Sequence, residues 1–271
     1  MKIGFISDNY HLEKKSVEFV KYLKTKGEVS LYIEESFLLK DSLVSDFEED
    51  LFFVKAKGEL ALGLIKLIEK TSIPVINSSK GIWNAIHRFL NSMLMEKAGV
   101  PVPDFSLNPI GVVPPFTDYI IKNIVDRKVY AFAPKIEKKN GQIHVKDERA
   151  LNEAVGGEEN YRYYFYQQFI KSKWEYKVYG IGEQLFFYKQ LPLLVNPNKT
   201  ESRQKIEDIQ ELKEIAFKAM EAVDLKIASI DFLKSKEGNY FLTDINCCPN
   251  FNYIKNGHKI VADYLIEEAK K

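Results

Sequence analysis

Apolar and polar positions alternate in two rhythms along this chain, and the switches between them mark its elements. KIGFIS (2–7), VSLYIE (29–34), DLFFVK (50–55) and IPVIN (73–77) are short, nearly continuous apolar runs. Between them, apolar positions fall at helical spacing, at Val17, Phe19, Val20 and Leu23 and again from Glu59 to Lys70. Strand-like runs separated by helices predict a small parallel sheet covered by those helices. SSKGIWNAIHRFLNSMLMEKAG (78–99) reads as one capped helix, with Ser at its start, Ile82, Ile86, Leu90, Met93 and Leu94 near helical spacing, and Gly99 at its end. VPVPDF (100–105) cannot continue that helix, because Pro101 and Pro103 break the backbone pattern.

Beyond these prolines the pattern becomes strand-rich. DYIIKN (118–123), YAFAPKIEKKNGQIHV (130–145) with a hairpin turn at Asn140-Gly141, a short helix from Glu148 to Val155, and YRYYFYQQFI (161–170) predict a compact α+β lobe. EYKVYGIG, QLFFYKQ, a helix from Ile206 to Val223, IASIDFLKS, GNYFLTDIN and a terminal helix from Lys259 follow. Three lobes are expected, at 1–99, 100–170 and 171–271, in a mixed α/β and α+β architecture.

Composition narrows the function classes. The chain has 271 residues, 45% of them hydrophobic, which is enough to bury real cores. Its 39 basic and 38 acidic residues leave a formal net charge of +1, so no global field favours nucleic acid or an anionic membrane. MKIGFISD lacks the apolar run of a secretory signal, and no stretch supplies the ~20 apolar residues of a membrane span, so a soluble cytoplasmic protein is expected. The two cysteines are adjacent, which excludes a disulfide framework. No GxGxxG follows the first strand, so the dinucleotide fingerprint is absent.

The chemistry concentrates near the C-terminus. Asp231 lies in IASIDFL and Asp244 in FLTDIN, two apolar runs joined by a turn at Glu237-Gly238-Asn239. Paired as a hairpin, these strands would set the two carboxylates side by side, with Asn246 on the same face as Asp244. An acid inside an apolar strand is costly unless paired or bound to metal, and here two occur in consecutive strands. Three hard oxygen donors without His or Cys suit Mg²⁺, and Mn²⁺ is chemically compatible. His11, His87, His144 and His258 have no metal-ligand spacing and read as structural or exposed.

The order of these elements resembles the ATP-grasp superfamily, in particular the branch of small ribosomal-protein glutamate ligases and glutathione synthetases. The resemblance rests on a helix ending in AGVPVP, a strand with a lysine, a strand ending in Gln-Gln-Phe-Ile, a strand beginning Glu-Tyr-Lys-Val-Tyr, and a closing Asp…Asp-x-Asn-x-x-Pro. It implies a three-lobed fold with ATP between the second and third lobes and Mg²⁺ on Asp231, Asp244 and Asn246. It further implies Arg88 and Lys122 near the phosphates, Gln168, Phe169 and Ile170 as the adenine hinge, Glu175 at the ribose, and Lys177 or Lys189 near phosphate or acceptor. Arg203, in NPNKTESRQ, would hold an acyl phosphate. The central lobe would close as a lid.

Two departures stand out. NIVDRKVYAFAP (123–134) has no glycine where the family carries a Gly-rich phosphate loop, so Arg127 and Lys128 would substitute with side-chain charge. The family's Pro-Gly is Pro249-Asn250 here, and Asn is expected to take the positive φ of that glycine. The resemblance implies an ADP-forming carboxylate–amine or carboxylate–thiol ligase acting on a small molecule or peptide, with a homodimer compatible with it. QQFIKSKWEYKVYGIGE and TDIN are also similar to inositol trisphosphate kinases, which makes a small-molecule kinase the alternative. A degenerate nucleotide-binding regulatory module is the third reading.

Overall fold

A computed structural model describes residues 1–40, 47–109, 111–126, 135–139, 142–146, 163–192, 196 and 198–271. The Asn140-Gly141 turn, the helix expected at 148–155, and Arg127 and Lys128 lie outside the described residues.

The first 76 residues build a four-stranded sheet in the order β2-β1-β3-β4, from β1 (Lys2–Ser7), β2 (Glu28–Ile33), β3 (Leu51–Lys55) and β4 (Val75–Ile76). All its pairings are parallel, as the strand–helix alternation predicts. The helices α1 (Asn9–Lys15), α2 (Val17–Lys24) and α3 (Glu59–Ile68) connect the strands. LFFVK is apolar throughout because β3 is buried on both faces: Leu51 and Phe53 enter one core, Phe52 and Val54 the other.

The single helix expected at 78–99 is two helices, α4 (Ser79–Ile86) and α5 (Arg88–Lys97). The break is at His87, whose backbone is extended (φ −86°, ψ 96°) and pairs with Val125. The Arg88 N–H donates to Ile124 O at 2.8 Å and the Asp126 N–H to Ile86 O at 2.8 Å. His87 Nδ1 then accepts from the Leu90 N–H at 3.2 Å and caps α5. Periodicity cannot show such a break, since the apolar spacing continues across it.

The second sheet runs β5-β9-β6-β8-β7, from β5 (Phe105–Pro109), β6 (Tyr119–Lys122), β7 (Lys135–Lys139), β8 (Gln142–Lys146) and β9 (Tyr163–Gln168). The third runs β12-β11-β10-β13-β14 and is antiparallel throughout. Its strands are β10 (Glu175–Ile181), β11 (Gln184–Gln190), β12 (Gln204–Lys205), β13 (Ile227–Lys234) and β14 (Tyr240–Asn246). Helix α6 (Gln210–Val223) packs Leu212, Ile215, Ala219 and Met220 with Val178, Ile230 and Phe232 of one sheet face. Helix α7 (Gly257–Glu268) joins Val261 and Leu265 to Tyr179, Ile181 and Tyr188 of the other. Among the described residues no helix is long and apolar enough to cross a membrane.

The first and third sheets share both large cores, one containing Ile6, Phe52 and Ile230 and the other Phe5, Phe53 and Tyr179. The second sheet has its own small aromatic cluster of Tyr119, Ile121, Tyr164 and Tyr166. A buried polar pin adds to the first joint. Asn77, 1% exposed, accepts at Oδ1 from the N–H groups of Lys226 and Ile227, both at 3.0 Å. Its Nδ2 donates to the carbonyls of Ile227 at 2.8 Å and Cys247 at 3.2 Å. Asn77 thus holds both β13, at its start, and the residue that follows β14. Asn77→Leu, similar in volume, leaves those backbone groups unmatched and is expected to cost about 3–5 kcal/mol. Chemical denaturation checks this, and a loss below about 1 kcal/mol would contradict the pin.

Candidate functional site

The candidate site lies on the polar half of one face of the third sheet, and strand register assembles it. Asp231 is the direct partner of Asp244, and Lys177 on β10 is the partner of Asp231. Two positions along, Tyr179, Ser229 and Asn246 line up in the same way. Glu175, Lys177, Asp231, Asp244 and Asn246 therefore share a face, by the two-residue period of strands.

A bulge makes this possible. Asp231 pairs with Asp244 but Phe232 pairs with Leu242, which leaves Thr243 as an extra residue in β14. Without it Leu242 and Asp244 would share a face; with it Leu242 joins Phe232 and Ile245 in the core while Asp244 and Asn246 face the site. The bulge also frees the Thr243 carbonyl, which accepts from Lys122 Nζ at 3.1 Å and Gln167 Nε2 at 3.4 Å. Gln167, 3% exposed, in turn accepts from Lys122 Nζ at 2.8 Å. Burial, with Arg88 nearby, pulls the Lys122 ammonium down to about 8.

Each carboxylate has a cation. Lys177 Nζ bonds to Asp231 Oδ1, and Arg88 Nη1 donates to Asp244 Oδ1 at 2.9 Å. Arg88 also reaches Asp126 Oδ1 at 3.5 Å, and Asp126 Oδ2 accepts from Lys57 Nζ at 3.1 Å. Burial is the largest single effect on Lys57 and opposes its charge, but Asp126 together with Cys247 and Cys248 raises that ammonium above the usual lysine range. Positive and negative groups thus alternate from the end of the first sheet to β14. Asp126, Lys57 and Gln167 carried no sequence signal, because their partners lie 69 and 45 or more positions away.

Glu175 is 8% exposed and accepts from Gln190 Nε2. Gln190 Oε1 accepts from Arg203 Nε at 2.7 Å, and Arg203 Nη1 donates to Tyr179 Oη at 3.0 Å. The Arg203 guanidinium lies 3.9 Å above the Tyr253 ring centre. Arg203 is therefore positioned over the site face, whereas Lys189 is not. Lys189 pairs with Tyr176, so it projects from the opposite face of β11 to Gln190, and its Nζ lies 4.9 Å from the Trp174 ring centre.

At the segment expected to be the hinge, the N–H of Gln168 donates to Asp104 O and that of Phe169 to Asp118 O, each at 2.7 Å. These two amides are committed within the protein. All three hinge residues are half-buried. Asn250, expected at positive φ, is extended (φ −87°, ψ 106°), and its Oδ1 accepts from the Asn252 N–H at 3.1 Å to start a helical turn. An Asn side chain can cap, which a glycine cannot, and that role is used here. Cys247 and Cys248 are buried and free.

Among the described residues no group of three or more His, Cys, Asp or Glu could hold a metal ion. The available donors are two carboxylates and the Asn246 carboxamide, whose Oδ1 already accepts from the Cys248 N–H at 3.0 Å and has a second lone pair. An all-oxygen set of this kind fits a hard cation such as Mg²⁺.

Known proteins share this fold. Residues 193–269 match the family model described as a RimK-like ATP-grasp domain. The tetrahydromethanopterin:alpha-L-glutamate ligase of Methanococcus maripaludis is 23% identical over 296 residues, spanning 99% of this chain and 98% of that protein. The RimK domain ATP-grasp protein of Sphaerobacter thermophilus superposes with a TM-score of 0.72 at 14% identity, covering 98% of this chain and 100% of the other. The ATP-grasp ligase PsnB, complexed with minimal precursor, Mg and ADP, superposes with a TM-score of 0.68 at 15% identity, covering 98% and 97%. The chain therefore has the fold of these ATP-grasp proteins over nearly its whole length, and its residues 193–269 are similar to the RimK-like ATP-grasp domain.

Proposed function

We propose that this protein is an ATP-dependent, ADP-forming ligase that joins a carboxylate to an amine through an acyl phosphate. The observation that carries the reading is the register of Lys177, Asp231 and Asp244 across three adjacent strands, with Arg88 closing the row. The Methanococcus maripaludis relative is named for glutamate, which makes L-glutamate the first amine to test. The inositol phosphate kinase alternative is not favoured, because the matching family model is a RimK-like ATP-grasp domain and that relative is named a glutamate ligase. The non-catalytic alternative is opposed by the complete carboxylate, amide and cation set.

Phosphoryl transfer asks the protein for positioning and charge, not for a nucleophile. Mg²⁺ on Asp231, Asp244 and Asn246 would supply neutralisation of phosphate oxygens. In this reading Lys122 and Arg88 would donate to the nucleotide phosphates, and Lys177 would stabilise charge beside Asp231. Arg203, with three of its sides fixed by Gln190, Tyr179 and Tyr253, presents a preoriented guanidinium to an acyl phosphate. Gln168, Phe169 and Ile170 would form the adenine hinge, with the Phe169 and Gln168 amides bracing the segment. Glu175 contributes through Gln190 and the ribose side of the cleft. The second sheet, with its separate small core, is the lid.

Asp244→Asn keeps a polar partner for Arg88, which also retains Asp126, so the fold should persist. Its kcat for ADP release with an acid and L-glutamate is expected to fall at least about 100-fold. Unchanged turnover in folded Asp244→Asn and Asp231→Asn would refute the site. A survey of ADP release across carboxylates paired with amino acids, with inositol phosphates as the contrasting arm, tests the reaction class: a phosphorylated polyol would replace the ligase reading by the kinase one.

Lys122 gives a pH signature. A buried ammonium lowered to about 8 is charged below that pH and neutral above it, so its attraction for phosphate is present at low pH and lost as pH rises through about 8. Equilibrium binding of ATP with Mg²⁺ should weaken across that range in the wild type. In Lys122→Arg, which stays charged, that part of the pH dependence should disappear.

A further inference from the structure

A cavity also opens on the face of the third sheet that points away from Lys177, Asp231 and Asp244. Tyr176, Lys189 and Lys234 stand one position off Lys177, Gln190 and Leu233, so by strand period they project to that other face. Beside them the loop 171–174, leading into β10, and the turn 235–239, joining β13 to β14, enclose about 260 Å³. The lining includes Lys171, Lys173, Trp174, Tyr176, Lys234 and Lys236. The loop is fastened to β13, because the Lys234 N–H donates to Ser172 Oγ at 3.1 Å and that hydroxyl donates to Trp174 O at 2.8 Å.

The charge of this cavity is uncompensated. Lys189, with its ammonium on the Trp174 ring, adds a fifth lysine to the four of the lining. Among the described residues no carboxylate lies within ion-pair distance of any of the five. Glu237 is exposed in the same turn and Glu211 is near enough to act on Tyr240, yet neither pairs with these lysines. In a chain of 39 basic and 38 acidic residues, five lysines brought together from three segments are a local excess. Lys234 is held by an aromatic ring as well, with Nζ 4.6 Å from the Tyr240 ring centre and donating to Tyr240 Oη at 3.3 Å. Such contacts orient an ammonium and leave N–H donors free for a stronger acceptor. The N–H groups of Lys171, Ser172, Lys173 and Trp174 make no backbone hydrogen bond among the described residues, which leaves amide donors available in the same loop.

An anion with several oxygens and more than one charge satisfies such a donor set. The volume is below the roughly 300–1,000 Å³ of cofactor and drug-sized sites, which suits a compact ion. A peptide carboxylate brings one charge on two oxygens, whereas a diphosphate can meet several lysines at once. We propose that this cavity binds a compact phosphate anion, free or as the end group of an organic phosphate, at a site separate from the candidate nucleotide site. Tyr176 stands between Glu175 and Lys177 in β10, so the anion would sit directly behind the strand that carries them.

Trp174 supplies a local readout. The chain has two tryptophans, and Trp83→Phe leaves Trp174 as the sole one. In full-length Trp83→Phe, titration with sodium diphosphate in metal-free buffer at constant ionic strength should change Trp174 emission saturably, at about millimolar concentration. Saturating ADP should leave that response in place. Adding Lys173→Ser and Lys236→Ser, both at exposed positions where folding is not at stake, should weaken it at least about tenfold. Glycerol phosphate is the second arm: weaker binding than diphosphate assigns the free anion, and tighter binding assigns the end group of an organic phosphate. The proposal is overturned by an unsaturable or absent response, by equal responses with and without the two lysines, by loss of the response in ADP, or by tighter binding of tri-L-glutamate than of either phosphate. The titration involves no turnover, so its outcome is independent of the ligase reading.

Discussion

Two carboxylates side by side in a sheet repel each other, and much of this molecule is arranged around that repulsion. Asp231 and Asp244 are direct strand partners, so their Cβ atoms stand about 5 Å apart. Like charges at that distance cost about 3 kcal/mol at an effective dielectric constant of 20. Lys177 comes from the neighbouring strand and meets Asp231 by register alone. Arg88 must come from elsewhere, and it reaches Asp244 because the chain breaks helicity at His87 and restarts with Arg88 in the first turn of α5. The broken helix is thus part of the electrostatics of the site.

The same constraint explains how the sheets cohere. The first and third sheets share two apolar cores and the Asn77 pin, so their relation is fixed by burial. The second sheet meets the third through polar contacts of Lys122 and Gln167 on the Thr243 carbonyl. Hydrogen bonds of this kind contribute about 1 kcal/mol each, far less than a shared core. The lid role proposed for the second sheet would use a joint of that sort, firm in direction but inexpensive to open.

Where side chains follow strand period, the site was legible in the sequence. The apolar strands, the Asp231–Asp244 pairing and the shared face of Asn246 need only alternation and one hairpin turn. Three features were hidden for physical reasons. The His87 break leaves the apolar spacing intact, so periodicity runs through it. The Thr243 bulge changes which residue opposes which without changing composition. Lys189 and Lys177 are both lysines in polar-apolar strands, and only the pairing of Tyr176 with Lys189 shows that they face opposite ways. Residues that act through distant partners, such as Asp126 and Gln167, are visible only once the chain is folded.

The bulge links these observations. One extra residue in β14 puts Leu242 into the core and Asp244 onto the site, and leaves one carbonyl unpaired between them. That carbonyl is where the lysine of the second sheet docks. A regular β14 would have satisfied its ladder, sent Asp244 to the same face as Leu242, and offered Lys122 no acceptor. The face that carries Asp231, Asp244 and Asn246 and the contact with the second sheet therefore have a common local cause, and the displacement of either would disturb the other. The closing Asp-x-Asn of the sequence faces the candidate site because of the threonine in front of it, which by composition is the least informative residue of the motif.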